Sequence, residues 1–90
     1  MSYYVYVLVC ENGAFYTGYT RNVAARFMLH KKGKGARYVR THQPKKIVYV
    51  EKFETRSDAI RRERQIKRLT HAEKQKLVNS ETQRQKRKPN

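Results

Sequence analysis

Residues Tyr3 to Cys10, reading YYVYVLVC, are apolar or aromatic at every position and rich in β-branched side chains. A strand with one solvated face alternates apolar and polar residues. This run does not, so both of its faces must be covered and it is expected at the centre of a sheet. The turn signal Glu11-Asn12-Gly13 follows, and Phe15 to Thr20 (FYTGYT) reads as a second strand returning antiparallel to the first. Asn22 is placed to cap a helix through Lys31, with Val23 and Phe27 on one stripe and Gly33-Lys34-Gly35 ending it. Ala36 to Lys46 is a basic connector closed by Pro44, and Lys46 to Phe53 (KIVYVEKF) reads as a third strand. After the polar turn Glu54-Thr55-Arg56, Ser57 is read as the cap of a second helix to about Leu69. Thr70 and Glu73 have capping-box spacing, which predicts a third helix from about His71 to Asn79. Residues 80–90 (SETQRQKRKPN) carry no apolar anchor and are expected to form a disordered basic tail. The reading is an α/β (α+β) fold in the order β-β-α-β-α-α, with a small three-stranded antiparallel sheet flanked by helices in one domain over residues 1–79.

A chain of 90 residues has room for one thin core. Its 22 Lys and Arg against seven Asp and Glu give a net charge of +15, which makes nucleic acid the expected partner. DNA is the first choice and RNA the second. A membrane surface fits poorly, because charges interrupt every helical pattern, and no run approaches the about 20 apolar residues of a membrane span. The single cysteine, Cys10, lies in the first strand and reads as a packed thiol in a reducing compartment, so a cytoplasmic location is expected. A monomer is the default, with a protein partner left open.

Chemistry enters through five side chains. With a three-residue hairpin loop, Cys10 faces Ala14, Tyr6 pairs with Gly18, and Tyr6 and Tyr16 share a face, where Gly18 opens a shallow concavity beside both phenols. A two-residue Asn-Gly loop shifts the register by one and puts the tyrosines on opposite faces, and the sequence leaves both open. Arg26 and His30, four apart on the first helix, share a face beside Phe27. The planar fork of Arg26 suits a phosphate, while His30 taken alone reads as a partly exposed surface histidine. Glu63 has Ala59, Ile60, Ile66 and Lys67 as its helical neighbours and so lies on the core-facing stripe. Either Lys67 pairs with it, or its carboxylate holds Mg²⁺ or Mn²⁺ with water and substrate oxygens completing the shell. No Cys/His cluster has zinc spacing. The basic loop around Gly33-Lys34-Gly35, with Lys31, Lys32, Arg37, Tyr38 and Arg40, reads as a clamp on a nucleic-acid backbone.

The order Tyr4-Val5-Tyr6, Tyr16-Thr17-Gly18, Arg26, His30, Glu63 resembles the GIY-YIG nuclease domain, in particular its small stand-alone bacterial members. The resemblance runs from about Tyr3 to Leu77 and takes in Gly33 to Tyr38 and Arg62-Glu63-x-x-Ile66-Lys67. It implies metal-dependent endonucleolytic cleavage of DNA, structure-selective or weakly sequence-specific, of the kind used in DNA repair or recombination. By the same resemblance Tyr16 positions or deprotonates the attacking water, Tyr6 supports the site, Arg26 neutralises charge at the phosphorus, His30 assists proton transfer and Glu63 holds the metal. Gly18 and Lys67 join the basic loop as nucleic-acid contacts. Tyr4 and Thr17 stand where the family has glycine and isoleucine, and Asn79 is weighed as the counterpart of a late asparagine used by some relatives. The alternative is a non-catalytic DNA- or RNA-binding module of the same fold.

Overall fold

The computed structural model describes the backbone of residues 2–33 and 43–87 and the side chains up to Ser80. Strands β1 (Tyr3–Cys10), β2 (Phe15–Thr20) and β3 (Pro44–Phe53) form one antiparallel sheet in the order β2-β1-β3, so the wholly apolar run is the central strand. Val5, Val7 and Leu8 are fully buried, with Tyr6 and Cys10 nearly so. Each face of β1 has its own cover. Tyr6, Leu8 and Cys10 pack with Tyr16, Ile47 and the Val23–Phe27 stripe of helix α1 (Val23–Lys31). On the other face, Val5, Val7 and Tyr49 pack with Ala59 and Ile66 of α2 (Arg56–Lys67) and Val78 of α3 (His71–Arg87). The element order is the one read from the sequence.

The hairpin takes the three-residue loop. Gly13 N–H donates to Cys10 O and Cys10 N–H to Ala14 O, each at 2.9 Å, and Gly13 supplies the left-handed residue (φ +86°) that this loop needs. The resulting register sets Tyr6 against Gly18 and Leu8 against Tyr16, so Tyr6 and Tyr16 share the α1 face. At Gly18 the fit is close. A Cβ there would lie 2.7 Å from Tyr6 Oη and 2.9 Å from its Cζ, so the phenol crosses the β2 backbone where only glycine leaves room.

Helix starts follow local hydrogen bonding. Asn22 Oδ1 accepts from Ala25 N–H at 2.9 Å, as its capping role predicts. The Thr70–Glu73 box closes in both directions, with Thr70 N–H donating to Glu73 Oε1 at 2.8 Å and Glu73 N–H to Thr70 Oγ1 at 3.1 Å. Three boundaries differ from the sequence reading. The cap of α2 is Thr55, whose Oγ1 accepts from Asp58 N–H at 3.2 Å, and Ser57 lies inside the first turn. Strand β3 begins at Pro44, a residue that an edge strand tolerates. Helix α3 runs past Asn79 to Arg87, because the Glu, Gln, Arg and Lys that follow are good helix formers and no glycine or proline intervenes before Pro89.

Gly18→Ala is expected to destabilise the fold by about 1–3 kcal/mol, the usual cost of forcing a buried ring out of its place. A shift in the denaturation midpoint with unchanged slope would show it, whereas wild-type stability would mean that Tyr6 does not lie across the strand.

Candidate active site

Tyr6 of β1, Tyr16 and Gly18 of β2, Arg26 of α1 and Glu63 of α2 line one open concavity of about 760 Å³. The pairing of Tyr6 with Gly18, and of Leu8 with Tyr16, puts both phenols on the α1 face, with their ring centres 6.4 Å apart. Arg26 lies one turn into α1 behind the Asn22 cap, and Glu63 reaches the same space from α2. Five residues separated by as many as 57 positions in the chain therefore meet at the β2 side of the sheet.

His30 is corrected from an exposed residue to a buried one, at 1% exposure. Its Nε2 lies 2.9 Å from the Tyr6 hydroxyl, and the Tyr16 ring meets its imidazole edge to face, with ring centres 5.4 Å apart. Burial, and then the nearby Arg26 charge, push the His30 pKa below its ordinary value, so the imidazole is neutral at pH 7. Its Nδ1 is buried with no partner among the described residues. If the Tyr6 hydroxyl donated to Nε2, Nδ1 would carry an orphaned N–H, whereas Nε2–H donating to Tyr6 leaves only an orphaned lone pair. The second arrangement is the less costly, and it frees the Tyr6 hydroxyl to donate into the concavity.

Both phenols are held firmly protonated. Burial is the main cause for Tyr6, joined by Tyr16 and Glu63, while Arg26 pulls the other way. For Tyr16, burial again leads, Glu63 adds to it, and Arg26 opposes both.

The Glu63 side chain is 15% exposed, and its Oε2 lies 3.5 Å from Lys67 Nζ, which is itself half exposed. That pair is too long and too solvated to be worth more than about 0.5 kcal/mol. The carboxylate thus has capacity to spare. No group of three or more His, Cys, Asp or Glu is assembled among the described residues. One carboxylate facing an open polar concavity nonetheless fits a hard divalent cation that keeps its waters and takes substrate oxygens.

Lys31, Lys32 and Lys67 are exposed but do not line the concavity. Lys34, Arg37, Tyr38 and Arg40 lie outside the described residues. Asn79 does not join the site. It accepts from the Gln75 side chain at 3.0 Å and lines a separate concavity of about 590 Å³ beside β3. The sequence reading missed Arg21 and Arg56, which line the same concavity with Tyr3 and Tyr19. Their only signal was an arginine directly after a strand end and another directly after a cap.

The chain resembles known proteins over most of its length. The family model for the GIY-YIG catalytic domain matches residues 2–77. A UPF0213 protein of Staphylococcus haemolyticus is 45% identical over 76 residues, covering 84% of this chain and 93% of its own. Another, from Natronomonas pharaonis, is 46% identical over 80 residues, covering 89% and 94%. The solution NMR structure of a UPF0213 protein from Bacillus halodurans superposes with a TM-score of 0.57 at 40% identity over 88% of this chain and 84% of that one. That of an E. faecalis protein superposes with a TM-score of 0.61 at 39% identity over 89% and 85%. A match over nearly the whole chain, with the motif residues gathered in one concavity, makes this protein a member of the GIY-YIG nuclease family, in its small UPF0213 group.

Proposed function

We propose that the protein is a metal-dependent endonuclease that hydrolyses phosphodiester bonds in DNA with structural preference or weak sequence preference, in repair or recombination. The observation that carries this reading is the meeting of Tyr6, Tyr16, Arg26 and the under-used carboxylate of Glu63 in a single concavity of a chain with a net charge of +15. Each part has a task in phosphoryl chemistry. Arg26 offers a permanent, planar pair of donors to the non-bridging oxygens, where charge builds as the phosphorus is attacked. Tyr6, kept protonated and held by His30, donates a hydrogen bond to a substrate oxygen. Tyr16 is placed to orient the attacking water, and Arg26 is the neighbour that eases loss of its proton. Glu63 would hold Mg²⁺ or Mn²⁺, which supplies further charge neutralisation at the phosphate. His30 acts through Tyr6 and Tyr16 as a positioning residue.

No helix among the described residues is long and apolar enough to cross a membrane. The buried free thiol of Cys10 supports a reducing, cytoplasmic setting within the same proposal.

Labelled branched, flapped and plain DNA incubated with Mg²⁺ or Mn²⁺ tests the reading. Nicking is expected, abolished by chelator, by Glu63→Ala and by Tyr16→Phe. Glu63→Ala should change folding stability by less than about 1 kcal/mol, since the ion pair that it removes is long and half exposed. A loss of cleavage accompanied by a large loss of stability would assign Glu63 to structure. Absence of cleavage on every substrate, with binding retained, would favour the non-catalytic module.

His30 makes a second test. Its folded pKa lies below the ordinary value of 6.5, so the unfolded chain takes up the proton first as pH falls. The stability this group contributes is complete above about pH 6.5 and is lost as pH drops through the lowered folded value. Denaturation of the wild type is therefore expected to become easier as the pH falls below about 6.5, and His30→Gln should flatten that dependence. An equal slope in both proteins would remove His30 as its source.

A further inference from the structure

The concavity holds more positive charge than one scissile phosphate can use. Arg21, Arg26 and Arg56 line it against the single acid Glu63. Arg21 and Arg56 are also each held by a tyrosine. The Arg21 guanidinium lies over the Tyr3 ring, 5.7 Å from its centre. Arg56 donates from Nε to Tyr19 Oη at 3.1 Å, with its guanidinium carbon 6.0 Å from that ring centre. Neither arginine forms an ion pair among the described residues, so the outer N–H edges of both remain available. A guanidinium fixed by a tyrosine gives up less rotamer freedom on meeting an anion than a free side chain does.

The aromatic rings carry the second half of the argument. Proteins that grip bases leave ring faces bare for stacking. Here Tyr3 and Tyr19 face the two arginines, and Tyr6 and Tyr16 are engaged with His30 and with each other. Each of these four tyrosines therefore already has a partner within the protein.

We infer that Arg21 with Tyr3, and Arg56 with Tyr19, form a two-point clamp for the backbone phosphates that flank the one at Arg26, so that this site reads the nucleic-acid backbone and not its bases. The inference rests on the nuclease reading for the position of the central phosphate, but its test does not require hydrolysis.

Binding of a fluorescent DNA duplex is measured in chelator across a salt series, for two unrelated sequences. Arg21→Gln and Arg56→Gln are each expected to bind roughly three- to tenfold more weakly on both sequences, and to lower the slope of log K against log salt by about 0.9. Tyr19→Phe keeps the ring and every charge but frees Arg56, and should weaken binding with an unchanged slope. Arg61→Gln, which removes an exposed arginine paired to Asp58 outside the concavity, is the control and should stay within about twofold of the wild type. If Arg61→Gln matches Arg56→Gln, the effect is bulk charge and the clamp is wrong. If the losses depend on the duplex sequence, or the Arg21 and Arg56 variants bind normally, it is also wrong, whatever the cleavage assay says. The expected binding pattern in a protein that cuts nothing would uphold the clamp and overturn the nuclease reading alone.

Discussion

Everything at the site depends on the register of β2 against β1. Because successive strand residues face opposite sides, a slip of one residue would carry Tyr16 to the α2 face and leave Tyr6 against a side chain in place of Gly18. Three local features prevent it. Gly13 accepts the positive φ that a three-residue loop demands, the paired bonds between Cys10, Gly13 and Ala14 close that loop, and the missing Cβ at Gly18 admits the Tyr6 ring at this register only. The turn and the close approach are thus two halves of one specification. A side chain at Gly18 would displace the phenol, and a displaced phenol would take from the His30 side chain its one hydrogen bond among the described residues.

His30 shows what that specification sustains. A histidine at 1% exposure with an unpartnered nitrogen is an unfavourable thing to bury, and packing alone would be better served by leucine or phenylalanine. Its neutrality removes the larger penalty, and the contact with Tyr6 removes part of the rest. What the fold gains is a phenol fixed in direction, with its proton aimed at the concavity. Glu63 is set by the opposite means. Ala59 and Ile66 bury one side of α2, while Arg62 donates from Nε to Glu51 on β3 at 2.9 Å, and Tyr49 donates to the same carboxylate oxygen at 2.7 Å. That acid is consumed in docking the helix, whereas Glu63, next to Arg62, keeps only a long pair with Lys67 among the described residues.

The parts of this structure legible in the sequence were those fixed by periodicity and by local hydrogen bonding. The uninterrupted apolar run declared β1 central, the Asn22 cap and the Thr70–Glu73 box declared two helix starts, and the type and order of all six elements followed. Thr55 and Ser57 are both competent caps, and only the chain path into α2 chooses between them. The hairpin register stayed open because Asn12-Gly13 suits two loop lengths, and the difference lies in which backbone groups pair. Of the site, the motif residues were visible and their convergence was not. The burial of His30 depends on how closely α1 approaches the sheet, a tertiary fact with no signature in a single helical turn. Arg21 and Arg56 were invisible for a related reason, since in a chain with 22 basic residues no arginine stands out until a partner holds it.

The small size of the domain decides where such a site can lie. With three strands, β2 is an edge strand only one position from the centre, and α1 and α2 pack on opposite faces of the sheet. A wide sheet would keep the two helices apart. Here the narrow edge lets Arg26 from one face and Glu63 from the other line the same concavity, with Gly18 thinning the strand between them. A cation and an acid can therefore share one space without either being buried as a pair in the core, where removal from water would cancel much of their attraction. Both remain partly wet and weakly engaged with the rest of the protein. Groups in that condition can exchange water for phosphate oxygens at little cost, which is the property that a phosphodiester site requires.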